Sequence, residues 1–189
     1  MATESGLTLR EGREAYFAEN GLPSDGGYAD DWVVIKIGRV PVFLLRNTAS
    51  RKRDVPFHDL HHVLTGYPTT LVGEGEIGAW ELGSDCTASP VAVLLNCQVF
   101  GMLLLLHPRR MFRAFVRGRR AGNLYGRLYD DQLLSRSIGQ MREELRVDAP
   151  IGEPTPEDRR AFWRWSARAL AMSWGPGFVI LGLAWWAWG

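Results

Sequence analysis

Cysteine is scarce in this chain of 189 residues: Cys86 and Cys97 are its only two. Two thiols cannot build a disulfide framework or a four-cysteine zinc site, and they point to reduced thiols in a cytosol-like compartment. An excess of one charge sign is lacking too. The 22 Lys and Arg stand against 21 Asp and Glu, a formal net charge of +1, which excludes a globally basic nucleic-acid binder. The 10 Pro and 21 Gly are too few for a collagen-like or disordered chain. Met1 to Asn20 has no apolar core and carries Glu4, Glu11, Glu14 and Glu19, so neither a secretory signal nor a transit peptide is expected there. The length suits one compact domain, or a domain plus a tail, with ample core.

What is present reads as mainly α, in three parts. Residues 1–54 form an N-terminal segment. It holds an amphipathic helix over 7–20, then Trp32–Ile37 and Val40–Leu45 as a two-stranded ribbon around Gly38-Arg39. Pro41 confines the second run to an edge, and residues 47–53 read as a polar, basic connector. Residues 55–147 form the helical core. Its first helix has Pro56 in the opening turn and stops at Thr65-Gly66 and Pro68; a second covers Thr70 to Leu82. Val91 to Leu106 has 13 apolar residues in 16 and reads as a buried helix, either plain core or the lining of an isoprenoid tunnel. Leu134, Ile138, Met141 and Leu145, spaced +4, +3 and +4, predict one face of a single helix.

Residues 148–189 comprise a linker, a helix opened by Thr155-Pro156-Glu157-Asp158, and a Trp-rich apolar tail. Ala169 to Gly189 runs 21 residues without a charge, nominally a bilayer span, but Gly175-Pro176-Gly177 is expected to interrupt it. Trp185, Trp186 and Trp188 are of the type that settles at membrane interfaces, and four arginines precede the run. An interfacial or re-entrant anchor, a tail anchor, and a core or oligomer contact all fit, with membrane contact favoured. Arg109, Arg110, Arg113 and Arg117 open a basic amphipathic stretch suited to anionic lipid headgroups, or to a solvated face paired with acids such as Asp130 and Asp131. Nucleic acid is not an expected partner, since base stacking needs an extended aromatic platform.

Three of the four histidines fall in His58-Asp59-Leu60-His61-His62. On a helix His58 and His62 are one turn apart on one face, with Asp59 at its edge. Two imidazoles and a carboxylate suit a divalent metal of the zinc type. The Gly66-Tyr67-Pro68 break is expected to reverse the chain and lay Glu74 against the pair, completing a set of His58, Asp59, His62 and Glu74. His61 points about 100° away from His62 and is not expected to be a ligand. Asp59 stands where a zincin has its general-base Glu, one methylene short, which disfavours a protease. No histidine precedes His58, which disfavours an HD-type phosphohydrolase.

This pattern, His-Asp-x-x-His followed after residues 63–73 by Glu74, resembles the signature of the ubiquinone-biosynthesis family named for the fourth Coq protein. Leu64-Thr65-Gly66-Tyr67, Gly73-Glu74, Arg117 to Ala121 and Met141 to Arg146 are also similar, and the likeness covers roughly residues 40–147. It implies an all-α fold, a bound divalent metal with zinc foremost, membrane association, and removal of the C1 carboxylate from a polyprenylated hydroxybenzoate, with coupling to C1 hydroxylation. The partners it implies are a polyprenylated quinone precursor, membrane lipid and other ubiquinone-biosynthesis enzymes; a homodimer is a further expectation. In a bacterium it implies the cytoplasmic face of the inner membrane. The apolar tail and the N-terminal ribbon depart from the family pattern. A non-catalytic lipid-binding scaffold and a metal-dependent hydrolase are the alternatives.

Overall fold

A computed structural model describes the backbone of residues 4–37 and 40–188 and the side chains of residues 5–34 and 44–175. The element order is α1 (Leu9–Asn20), β1 (Trp32–Ile37), β2 (Val40–Arg46), α2 (Ala49–Thr65), α3 (Leu71–Gly83), α4 (Pro90–Leu104), α5 (Pro108–Gly118), α6 (Asp131–Leu134), α7 (Ile138–Glu144) and α8 (Pro156–Trp188). The fold is mainly helical, with one short antiparallel ribbon in which Trp32 pairs with Arg46 and Ile37 with Val40. The expected Gly38-Arg39 turn lies outside the described residues.

Local chemistry sets most boundaries. Thr8 and Glu11 form a reciprocal capping box at the start of α1, and Gly21 ends it in the left-handed conformation. Thr70 caps α3 by accepting from the Gly73 N–H. At the start of α8, Thr155 and Asp158 exchange backbone-to-side-chain hydrogen bonds of 2.9 and 3.2 Å.

Helix α2 begins earlier than expected. Thr48 accepts from the Arg51 N–H, so residues 49–53 are helical rather than a connector, and Pro56 lies inside the helix. A proline in a helix forfeits one backbone bond; here the ring is buried and the helix continues. The single helix expected over Leu134–Leu145 is two, α6 and α7. Between them the chain is held by the N-terminal segment: the Leu9 N–H donates to the Arg136 carbonyl and the Ile138 N–H to the Leu7 carbonyl, both at 2.8 Å. All four apolar residues of the stripe are nevertheless buried.

The core is built on α3. Its Trp80 is fully buried, and α5 crosses it at backbone contact. A Cβ at Gly118 would collide with the Trp80 carbonyl, so only glycine permits this approach. Helix α8 closes the other side, where Phe162 packs edge-on to Phe100, Phe112 and Phe115 with centroids 4.9–5.8 Å apart. Arg119 and Arg120 bind Asp158, tying α8 to the end of α5.

Helix α8 runs unbroken through Gly175-Pro176-Gly177, against the expected interruption. Among the described residues no helix is long and apolar enough to cross a membrane. The side chains of residues 176–189, including the expected interfacial tryptophans, lie outside the description. Helix α4 buries Ala92, Asn96, Cys97, Phe100, Leu103 and Leu104 but leaves Leu94 and Met102 exposed, so it is core on one face only.

Candidate metal centre

The site sits where α2 meets α3. Gly66 adopts φ 74°, ψ 13°, a left-handed cap that reverses the chain after α2, and its N–H bonds the His62 carbonyl at 2.9 Å. The turn then delivers the Tyr67 carbonyl to His62 Nδ1 at 2.7 Å and starts α3 at Leu71. Glu74 thereby falls in the first turn of α3, where the helix N-terminus favours a negative charge.

The reversal brings His58, His62 and Glu74 together, as the spacing led us to expect. One ligand atom from each lies within 4.8 Å of the others. His58 Nε2 is 3.4 Å from Glu74 Oε2, His62 Nε2 is 3.4 Å from Glu74 Oε1, and the two Nε2 atoms are 3.2 Å apart. Side-chain exposure is 1% for His62 but 24% for His58 and 33% for Glu74, so the cluster opens on one side. Tyr16 of α1 stacks on the His62 ring, centroids 5.4 Å apart and planes at 20°.

Asp59 is not part of this three-residue cluster. One residue on from His58, it is rotated about 100° around α2, and its Oδ2 instead accepts a 2.6 Å hydrogen bond from the Tyr28 hydroxyl. Burial pushes the Asp59 carboxyl up, against the lowering pull of His58 and of the Tyr28 hydrogen bond.

Glu81, two turns after Glu74 on α3, was missed by sequence reasoning. It is fully buried. Its Oε1 accepts from His58 Nδ1 at 3.0 Å and His61 Nδ1 at 2.7 Å; its Oε2 accepts from Asn96 Nδ2 at 2.5 Å and the Tyr125 hydroxyl at 2.9 Å. The signal available was the i, i+7 spacing that puts Glu81 on the same face as Glu74, among only three acids on a helix otherwise apolar. His61 is no ligand, as expected: its Nε2 accepts from the Leu124 N–H at 2.9 Å, and burial holds it below the usual imidazole range.

The electrostatics favour a cation. With both Nδ1 atoms committed, two Nε2 lone pairs face each other beside a carboxylate. Although burial opposes it, Glu81 and Glu74 raise His58 well above the ordinary imidazole value. Burial likewise opposes ionisation of Glu74, but the hydrogen bonds that His58 and His62 donate to it as charged rings bring it far below the usual carboxylate range. Two neutral imidazoles with two nearby carboxylates match the charge of a divalent ion, and nitrogen-plus-oxygen donors of this kind suit zinc chemistry. The residues present therefore fit a metal.

The four arginines expected at a lipid headgroup separate. Arg110 makes a bidentate pair with Glu76 at 2.9 and 2.7 Å. Arg117 is partly buried, donates to the carbonyls of Thr65 and Val147, and covers the Tyr67 ring. Arg109 and Arg113 are exposed and make no ion pair among the described residues. The helix supplies internal partners on one side, which is why only these two remain available.

No family model matches the chain. No solved structure matches it. Two curated proteins do, each called ubiquinone biosynthesis protein coq4, mitochondrial. The one from Botryotinia fuckeliana is 29% identical over 101 residues, which is 50% of this chain and 34% of the relative. The one from Sclerotinia sclerotiorum matches with the same identity and coverage. The chain thus matches about a third of the length of these relatives, and its likeness to the coq4 ubiquinone-biosynthesis proteins, first carried by the spacing of His58, Asp59, His62 and Glu74, is borne out.

Proposed function

We propose that this chain is a metal-dependent protein of ubiquinone biosynthesis that acts on the aromatic head group of a polyprenylated hydroxybenzoate and removes its C1 carboxylate. The observation that carries this reading is the convergence of His58 Nε2, His62 Nε2 and the Glu74 carboxylate on one partly open point, in a chain similar to two coq4 proteins.

His58, His62 and Glu74 would hold the metal. Bound there, a divalent cation supplies Lewis-acid polarisation of a substrate oxygen. Tyr16 fixes the plane of the His62 ring by stacking, and Glu81 and the Tyr67 carbonyl fix the two ring orientations. Loss of CO₂ leaves an electron pair at C1 that must take a proton. Asp59, next to His58 on α2 and hydrogen-bonded to Tyr28, is the chain's acid for that carbon, and burial, by raising its carboxyl, eases uptake of the proton it hands on. Membrane contact is part of the proposal: exposed Leu105 and Leu106 precede exposed Arg109 and Arg113, an apolar and basic pairing suited to an anionic lipid surface.

The test is release of labelled CO₂ from a carboxyl-labelled polyprenyl-hydroxybenzoate by purified full-length chain loaded with zinc. Turnover that disappears in Asp59→Asn while metal content is kept supports the assignment. Metal-loaded chain that extracts the lipid but releases no CO₂ favours the scaffold instead.

A further inference from the structure

Beneath the metal cluster lies a fully buried carboxylate that no step above consumes. Four polar groups surround Glu81 at 2.5–3.0 Å: His58 Nδ1, His61 Nδ1, Asn96 Nδ2 and the Tyr125 hydroxyl. The Asn96 amide donates to one oxygen and His61 Nδ1 to the other, the arrangement of an ionised carboxylate, which accepts on both oxygens. The His61 proton is fixed independently. Its Nε2 accepts the Leu124 N–H, so its Nδ1 must carry the hydrogen that reaches Glu81.

The same logic fixes His58. An ionised carboxylate only accepts, so the hydrogen between His58 Nδ1 and Glu81 Oε1 belongs to the imidazole. In the neutral ring, the form that binds a metal, that leaves Nε2 bare and aimed at His62 Nε2 and Glu74. His62 receives the same service from a neutral group, the Tyr67 carbonyl, at 2.7 Å. Using a buried anion where a carbonyl would fix the tautomer equally well calls for a reason. A carboxylate behind a ligating imidazole strengthens its donor nitrogen as well as orienting it, and it supplies the second negative charge that a divalent ion requires.

Resting on the metal reading above, we propose that Glu81 is a positioning residue of the metal centre: through His58 Nδ1 it presents Nε2 as the ligand, and through His61, Asn96 and Tyr125 it is anchored rigidly to α2, α4 and the segment after α5. It touches neither metal nor substrate; its effect passes through His58.

Two measurements on the full chain test this. In zinc-loaded wild-type protein, long-range ¹H–¹⁵N spectra should show His58 coordinated through Nε2 with its hydrogen on Nδ1; coordination through Nδ1 overturns the proposal, and this readout needs no variant. Glu81→Gln keeps the shape and removes the charge, and chelator competition with zinc and with cobalt should show affinity 10–100-fold below wild type, with the thermal transition of the metal-free protein recorded alongside. A folded Glu81→Gln that binds both ions within twofold of wild type overturns the proposal while leaving the metal reading intact. Wild-type protein that takes up neither ion overturns both. Should Glu81→Gln fail to fold, the wild-type spectra decide.

Discussion

His58 and His62 aim their Nε2 atoms at each other across 3.2 Å, and as neutral rings neither has a hydrogen to spare for the gap. The Nδ1 hydrogens are taken by Glu81 and by the Tyr67 carbonyl, at 3.0 and 2.7 Å. Opposed lone pairs beside the Glu74 carboxylate repel unless a cation lies among them, either a proton or a metal ion. The consequences below follow from that arrangement and from the helices that maintain it.

Metal and proton compete for His58. Burial opposes its charged form, but Glu81 and Glu74 outweigh burial and raise it well above 6.5. Zinc affinity should therefore climb by about tenfold per pH unit for each imidazole proton displaced, and keep climbing above the pH at which a free imidazole has already lost its proton. In the metal-free protein the sign is the reverse: a raised histidine adds stability at low pH, lost as pH rises through its folded-state value. Calorimetric titration with zinc between pH 5.5 and 8.5, and unfolding of the metal-free chain over the same range, check both.

Tyr28→Phe should destabilise the fold by about 1–3 kcal/mol at neutral pH, because it strips the buried Asp59 carboxylate of its hydroxyl partner. Burial already raises Asp59 while the Tyr28 hydrogen bond lowers it, so the variant should raise it further. The deficit should shrink as pH falls and the carboxyl protonates. Denaturant unfolding at pH 7 and pH 4.5 measures the difference.

Gly118→Ala places a methyl against the Trp80 carbonyl, a backbone group that cannot step aside. A loss of about 1–3 kcal/mol is expected from overpacking. Because α3 carries both Glu74 and Glu81, zinc affinity should fall with it. Chemical denaturation and chelator competition on the same preparation would show the two effects together.

The arginines of α5 should divide by function. Arg117→Ala removes hydrogen bonds to the carbonyls of Thr65 and Val147, and about 1–3 kcal/mol of stability should go with them. Arg109→Glu with Arg113→Glu should leave stability within about 0.5 kcal/mol while weakening sedimentation with vesicles containing anionic lipid. Equal vesicle binding by the charge-reversed protein would remove these two residues from the membrane surface.

The parts of the fold legible in the sequence were those with local causes. Thr155 caps the helix it precedes, and Gly66 with Pro68 stops α2 and turns the chain so that Glu74 meets the histidines. What escaped had distant causes. The α6–α7 break is held by backbone bonds from Leu7 and Leu9, far away in the chain, which periodicity at Leu134–Leu145 cannot register. One local cause escaped as well: helix α2 starts at Ala49 because Thr48 supplies a cap ahead of Pro56. Glu81 carries no spacing signal relative to His58 alone; its role emerges only when α3 folds back and Asn96 and Tyr125 close over it. Asp59 fell outside the three-residue cluster because its carboxylate is taken by the hydroxyl of Tyr28, a loop residue 31 positions earlier in the chain.

The most direct test is the metal content of the chain itself. Purified without chelators and analysed by mass spectrometry, wild-type protein is expected to carry one divalent ion per chain, and His58→Ala and His62→Ala are expected to carry none while remaining folded. Metal-free wild-type protein that also refuses zinc on titration, or either variant folded and still holding a full equivalent, would contradict the claim that these two imidazoles and Glu74 form a metal centre.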